Sequence, residues 1–325
     1  MRVFVTGGTG FVGKPTIRRL VEGGHEVRCL VRRISRTEEL EELGCEFAYG
    51  DVTDKASVLE GMRGCEWVVN LANVYSYWEP DKSIYWKVNV EGTRNVMEAA
   101  LEAGVSKVAH VSTSLVWGKP SQTPFDEETP VGPERFTEYA QSKYEGDLLA
   151  WELYRERNLP VVMLYPTAIL GAGNPKANGQ YVRDLIERQI PGRMFEDSAF
   201  TLVHVNDVAE AIVRALEKES NEGEKYLVGK HSISFGEWTR MVCEISGAPL
   251  PRWRLPDPVT MATAKLLTKV ADLSGRPPYL GMSTDSIRNV KEASVFDGSK
   301  AERELGLTYT PIRAATEEEV ASLRK

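Results

Sequence analysis

Apolar residues in the first half of the chain fall into short, nearly continuous runs separated by longer amphipathic stretches. The runs at 3–5, 26–31, 46–48, 67–71, 107–112 and 160–164 are rich in β-branched residues and are predicted as strands. Between them, 12–22, 57–62, 84–103 and 137–157 read as helices. Such alternation argues for a parallel sheet with helices on both faces. A run like VVMLY, with no polar alternation, suits a strand buried on both sides.

Beyond Pro166 the rhythm changes. Gly, Asn and Pro dominate 171–179, which is expected as a loop. A helix at 181–189, a strand at 200–204, a helix at 207–218 and a strand at 225–228 follow. The remainder passes through Pro-rich stretches at 249–258 and 276–279 and is mostly helical in pattern. The expected fold class is α/β: a doubly wound parallel sheet from 1–166 plus 201–228, and a smaller substrate-capping region from 167–200 plus 229–325.

Composition narrows the partners. The 40 basic and 47 acidic residues leave a net charge of −7, which argues against a nucleic-acid footprint and against general attraction to anionic membranes. Arg32, Arg33 and Arg36 form one local basic cluster. The four Cys and four His are scattered without metal-ligand spacing, so no metal site is expected and the thiols read as buried and reduced. The first residues run directly into a short strand, without the apolar segment of a signal peptide, and no apolar run is long enough to span a bilayer. A cytoplasmic location is expected.

The stretch TGGTGFVG (6–13) lies between the first strand and the first helix. It satisfies G-x-G-x-x-G through Gly8, Gly10 and Gly13, and G-x-x-G-x-x-G through Gly7, Gly10 and Gly13. Glycines there permit a sharp turn, close approach of backbone to a pyrophosphate, and tight packing of helix on strand. The helix N-terminus then faces the phosphates. Where NAD-binding folds carry an acid at the end of the second strand, this chain has Arg32-Arg33. Arginine there suits a 2′-phosphate, so NADP is expected over NAD. Asp51, closing the third strand, is placed to accept from the adenine amino group.

EYAQSKYEG (138–146) puts Tyr139 and Lys143 one helical turn apart, on one face. Tyr226 and Lys230 have the same spacing, but on a strand running into Gly229 and without hydroxyls upstream. Thr113 and Ser114, at the carboxyl end of the fifth strand, accompany Tyr139/Lys143 where doubly wound sheets bind ligands. A nearby ammonium stabilises phenolate, so Lys143 is expected to pull the Tyr139 pKa downward.

Together TGGTGFVG, GDVTD, NLAN, NVEGTRNV, VSTSLVWG, YAQSK and VHVNDVAEAI resemble an extended short-chain dehydrogenase/reductase of the NAD-dependent epimerase/dehydratase family. The resemblance implies a Rossmann-type sheet, a bound NAD(P) and a catalytic group of Thr113, Tyr139 and Lys143, with Asn89 matching the family asparagine. Ser114 replaces Thr113 if the register shifts by one. Cofactor contacts are then expected from Gly7, Gly10, Phe11, Val12 and Gly13, from Arg32, Asp51 and Val52, and from Leu71, Ala72, Asn73, Lys143, Tyr165 and Pro166. Substrate contacts are expected from Tyr75, Trp78, Ser114, Trp117 and Thr167. Family members often dimerise through helices of the sheet, the Tyr–Lys helix included, so a homodimer is one open assembly.

Departures from the pattern separate the branches. Dehydratases place Asp-Glu after the catalytic threonine; here Ser114-Leu115 stands there. Nucleotide-sugar epimerases carry an R-Y-F-N-like stretch where this chain has YPTAILG (165–171). PTAILG resembles the P-T-L-V-V-G of dihydroflavonol 4-reductases and their bacterial relatives, a set that also includes hopanoid-associated sugar epimerase-like members. The resemblance therefore implies an NADP-dependent reductase of a bulky small molecule: hydride goes to a carbonyl carbon, Tyr139 protonates the oxygen, Lys143 tunes Tyr139 and holds the ribose, and Thr113 orients the carbonyl. A sugar epimerase and a non-catalytic cofactor sensor stay open as alternatives.

Overall fold

The computed structural model describes residues 1–324. Its first half alternates β1 (Arg2–Thr6), α1 (Gly13–Glu22), β2 (Glu26–Val31), α2 (Glu38–Glu42), β3 (Glu46–Tyr49), α3 (Lys55–Met62) and β4 (Trp67–Asn70). α4 (Ser83–Tyr85) then passes through a π-helical turn at Trp86–Glu91 into α5 (Gly92–Ala103). β5 (Lys107–Val111), α6 (Glu138–Arg157) and β6 (Val161–Pro166) complete that half. The second half contains β7 (Ala168–Leu170), α7 (Asn178–Ile186), β8 (Ala199–His204), α8 (Val205–Glu217), β9 (Lys225–Val228), β10 (His231–Ser234) and α9 (Phe235–Ser246). α10 (Asp257–Ser274), α11 (Thr284–Lys291), α12 (Ser299–Leu305) and α13 (Ile312–Ser322) finish the chain.

Seven strands form one sheet in the order β3-β2-β1-β4-β5-β6-β9, every neighbouring pair parallel. The strand order reverses at β1/β4, so a crevice opens beyond their carboxyl ends. Every residue of β5 and of β6 is buried, because helices cover both faces. One apolar core packs α1 and α8 on one face; the other packs α3, α5 and α6 on the opposite face. Side chains define the helix starts: Asp54 caps Ala56 and Ser57 at α3, and Thr137 accepts from Ala140 N–H at 3.0 Å to begin α6.

The second sheet, β10-β8-β7, differs from the expected division. Residues 201–204, expected with the large sheet, belong to β8, which pairs parallel with β7 and antiparallel with β10. α8 and β9 return to the large sheet, α8 packing beside α1 and β9 pairing parallel with β6. β7 and β10 are three and four residues long, too short to show a periodic signal, and they are stabilised by β8 between them. This small sheet, with α7, α9 and α13, buries a third core around Trp238, Phe200 and Leu185.

Candidate active site

A cleft of about 700 Å³ runs along the carboxyl ends of the strands, between the large sheet and the cap. At one end the glycine turn lines it through Gly7, Gly10, Phe11, Val12 and Gly13. Gly7 has φ +72°, and a Cβ on it would lie 2.7 Å from the Ala72 nitrogen. A Cβ on Gly13 would lie 2.3 Å from the Gly7 oxygen. Gly8 instead abuts Ile17 and Cys29 in the core. The cradle is therefore the Gly7/Gly10/Gly13 spacing. No side chain caps the first turn of α1, which leaves its N–H groups to a phosphate. These features fit a dinucleotide pyrophosphate.

Arg32, Ser35, Asp51 and Val52 line the same end, as do Leu71, Ala72 and Asn73 after β4. The Arg32 N–H donates to Ser35 Oγ at 3.2 Å, folding the loop so that its side chain borders the adenosine end. Arg33 lies over the Tyr49 ring, 5.5 Å from the centroid. Asp51 Oδ1 accepts from the Thr53 N–H at 3.0 Å and the Thr53 hydroxyl at 2.9 Å, which fixes this rim.

Midway along the cleft stand Thr113, Ser114, Tyr139 and Tyr75, with Pro166 and Thr167 opposite. Tyr139 packs edge-on against Tyr75 and Tyr77, with ring centroids 5.1 and 6.5 Å away. Burial raises its phenol pKa, Tyr75 and Asp147 raise it further, and the neighbouring Thr113 hydroxyl lowers it. This corrects the expected downward pull from Lys143. The Lys143 ammonium donates to the Val111 carbonyl at 3.0 Å, beneath the cleft wall, and burial lowers its own pKa. Phenol and ammonium share a helix face, but Lys143 is committed to β5. The Tyr139 phenol is protonated at neutral pH.

Four further expectations are redrawn. Asn89 does not line the cleft: its Oδ1 accepts from the Val74 N–H at 2.7 Å and its Nδ2 donates to Ser142 Oγ at 2.9 Å, tying the post-β4 loop to α6. It is a positioning residue. Trp117 is buried between Phe125 and Tyr165, and its Nε1 donates to the Thr129 carbonyl at 2.9 Å. Tyr165, only 3% exposed, packs edge-on against Trp117 and belongs to the same core. Trp78 stands on the rim, donating from Nε1 to Asp272 of α10 at 2.9 Å. Large apolar rings following strands are drawn into packing unless the cleft wall needs them, and Trp117 and Tyr165 are.

Two sets of residues escaped the sequence reading. The cap side of the cleft is walled by Ile84, Phe200, Phe235, Asn289 and Val290, contributed from distant segments with no common motif. Beneath the cleft, polar groups link strand to strand. Thr6 donates to Asn70 Oδ1 at 2.7 Å, and Asn70 Nδ2 lies 3.0 Å from His110 Nδ1. His110 Nε2 lies 3.3 Å from Asp147, which also accepts from Ser112 at 2.7 Å. Burial lowers the His110 pKa and keeps the ring neutral, so the tautomer with Nε2–H toward Asp147 satisfies both neighbours. Polar residues inside near-continuous apolar strands were the available signal.

Among the described residues no His/Cys/Asp/Glu cluster could hold a metal ion, and no helix is long and apolar enough to cross a membrane.

Comparisons with known proteins agree with this geometry. The model of the "NAD dependent epimerase/dehydratase family" matches residues 3–229. "Sterol demethylase protein B" of Methylococcus capsulatus is 32% identical over 332 residues, covering 100% of this chain and 99% of the relative. The "Putative dihydroflavonol 4-reductase" of Synechocystis sp. is 30% identical over 319 residues, 96% of this chain and 91% of the relative. The crystal structure of gox2253 is 35% identical with a TM-score of 0.85, covering 99% of this chain and 97% of that chain. The chain belongs to the NAD dependent epimerase/dehydratase family and is an NAD(P)-dependent enzyme of the extended short-chain dehydrogenase/reductase type.

Proposed function

We propose that the protein is an NADP-dependent reductase of a carbonyl in a bulky, largely apolar small molecule. The observation that carries this reading is the character of the cleft beyond Tyr139. Tyr75, Tyr77, Phe200, Phe235 and Val290 wall it, and among the described residues the only cations lining the whole cleft are Arg32 and Lys176. Arg32 sits at the adenosine end, and Lys176 Nζ donates to the Tyr75 carbonyl at 2.9 Å. A nucleotide-sugar substrate needs cations for its diphosphate, and beyond the adenosine end this wall offers Lys176 alone, with one donor held by the Tyr75 carbonyl. An apolar carbonyl compound loses little by entering it.

A bound nicotinamide would supply the hydride to the carbonyl carbon. Tyr139 donates its proton to the carbonyl oxygen, and Thr113 hydrogen-bonds that oxygen and orients it. Products are the alcohol, the oxidised cofactor and a Tyr139 phenolate that solvent reprotonates. A phenol held up by burial and by the Tyr75 ring is set for this direction, since it stays protonated through neutral pH. Arg32, with no acid beside it at the end of β2, supports NADP over NAD.

The test is turnover of NADPH with a panel of apolar ketones, set beside nucleoside-diphosphate sugars. Net NADPH oxidation with a ketone is expected. Interconversion of sugars with no net change in cofactor would replace this reading with epimerisation.

A further inference from the structure

α10 is built inside out. Its buried positions are the small residues Thr260, Ala264 and Ala271. Met261 and Leu267 are half-buried, but four large apolar side chains face away from the protein: Val259 is 55% exposed, Leu266 63%, Val270 53% and Leu273 90%. Those four recur at i, i+7, i+11 and i+14, which places them on one stripe along an 18-residue helix of about 27 Å. Trp253 before the helix and Tyr279 after it are each 68% exposed. Monomeric surfaces seldom leave a contiguous apolar stripe of this length uncovered.

The charge around the stripe runs opposite to that of the chain. Lys265 and Lys269 flank it along α10, and Arg252 and Arg276 stand at its two ends. None of these four forms an ion pair among the described residues, and Arg252 lies over the Trp253 ring at 5.8 Å. Acidic residues within 250–281 are only Asp257 and Asp272, and Asp272 accepts from Trp78. An apolar stripe bordered by free cations, with amphipathic aromatics at each end, has the pattern of a helix lying in a bilayer interface.

The helix also adjoins the cleft. The Trp78–Asp272 bond joins it to the loop that supplies Tyr75, Tyr77 and Glu79 to the wall. Thr268 accepts from the Thr284 N–H at 2.8 Å, joining it to α11, which supplies Asn289 and Val290.

We propose that α10 docks the enzyme on an anionic lipid surface, with Val259, Leu266, Val270 and Leu273 in the acyl boundary and Lys265, Lys269, Arg252 and Arg276 at the headgroups. The cap side of the cleft then faces the layer in which an apolar carbonyl compound dissolves. A second copy of the chain is the poorer occupant, because two such faces would oppose like charges across their rims. The net charge of the whole chain, which argues against membranes on average, does not describe this face. Only the use of docking rests on the proposed apolar substrate; docking itself is measured with no substrate present.

The full chain is sedimented with vesicles of phosphatidylcholine alone and of phosphatidylcholine with phosphatidylglycerol. Wild type is expected to partition onto the anionic vesicles, and Leu266→Glu/Leu273→Glu to weaken that at least about tenfold. Lys265→Glu/Lys269→Glu is expected to remove the preference for phosphatidylglycerol. An unchanged melting temperature and NADPH affinity in each variant shows that the fold is intact. Wild type remaining in the supernatant, or the Leu variant binding equally well, overturns the proposal. So does a wild-type dimer by light scattering that the Leu variant splits into monomers, which would assign the stripe to a second copy.

Discussion

Tyr139 owes its protonated state to what surrounds it rather than to its lysine. Desolvation disfavours phenolate, and the Tyr75 phenol and the Asp147 carboxylate add to the penalty. Lys143 donates to the Val111 carbonyl, one residue before Ser112. Arg32 is the residue whose role is sharpest to test. The proposed charge-assisted pair with a 2′-phosphate is lost in Arg32→Ala, so KM for NADPH should rise about tenfold or more while KM for NADH changes little. Steady-state kinetics with both cofactors reads the ratio. Equal losses for NADPH and NADH would remove Arg32 from 2′-phosphate recognition. The glycines were legible from sequence because few other reasons exist for that spacing between strand and helix. The fate of Trp117 and Tyr165 was not, because an aromatic at a strand end packs into core or cleft according to tertiary neighbours.

At the scale of elements, the strands of the first half were readable because burial on both faces leaves nearly continuous apolar runs. The five-residue α2 was too short to show a period. β7 and β10 were not readable either, since three or four residues carry no period. α13 shows a different debt to tertiary context. Its Glu319 is 1% exposed, and neither carboxylate oxygen reaches a hydrogen-bond partner. Burial pushes its pKa up to about 8, and Glu318 adds repulsion; Gly171 N–H and Asn174 offset part of this without reaching hydrogen-bond geometry. Glu318 itself pairs with His204 at 3.0 Å and leaves Glu319 without a cation. The folded state therefore holds a proton that the unfolded chain releases above its ordinary pKa of 4.5. Stability from this group is full below pH 4.5 and is lost as pH rises toward about 8. Glu319→Gln should remove that slope and make the protein more stable at alkaline pH, by on the order of a few kcal/mol at most. Urea midpoints measured across the range test it; parallel profiles for the two proteins would refute the assignment.

For the whole molecule, the sheet order and its crevice follow from alternation and the glycine turn, and they place the cofactor end of the cleft. The substrate end depends on Phe200, Phe235 and Val290, brought together only when the small sheet and α11 close over the large one. That assembly is why the family was legible and the substrate wall was not. One measurement bears most directly on the central claim, that Tyr139 is the proton donor of an NADPH-dependent carbonyl reduction. Tyr139→Phe keeps the ring against Tyr75 and Tyr77 and deletes the hydroxyl. Turnover of NADPH with a reducible ketone, measured beside NADPH affinity, should fall by at least about a hundredfold while affinity is unchanged. Near-wild-type turnover in that variant, with the cofactor bound normally, would contradict the account.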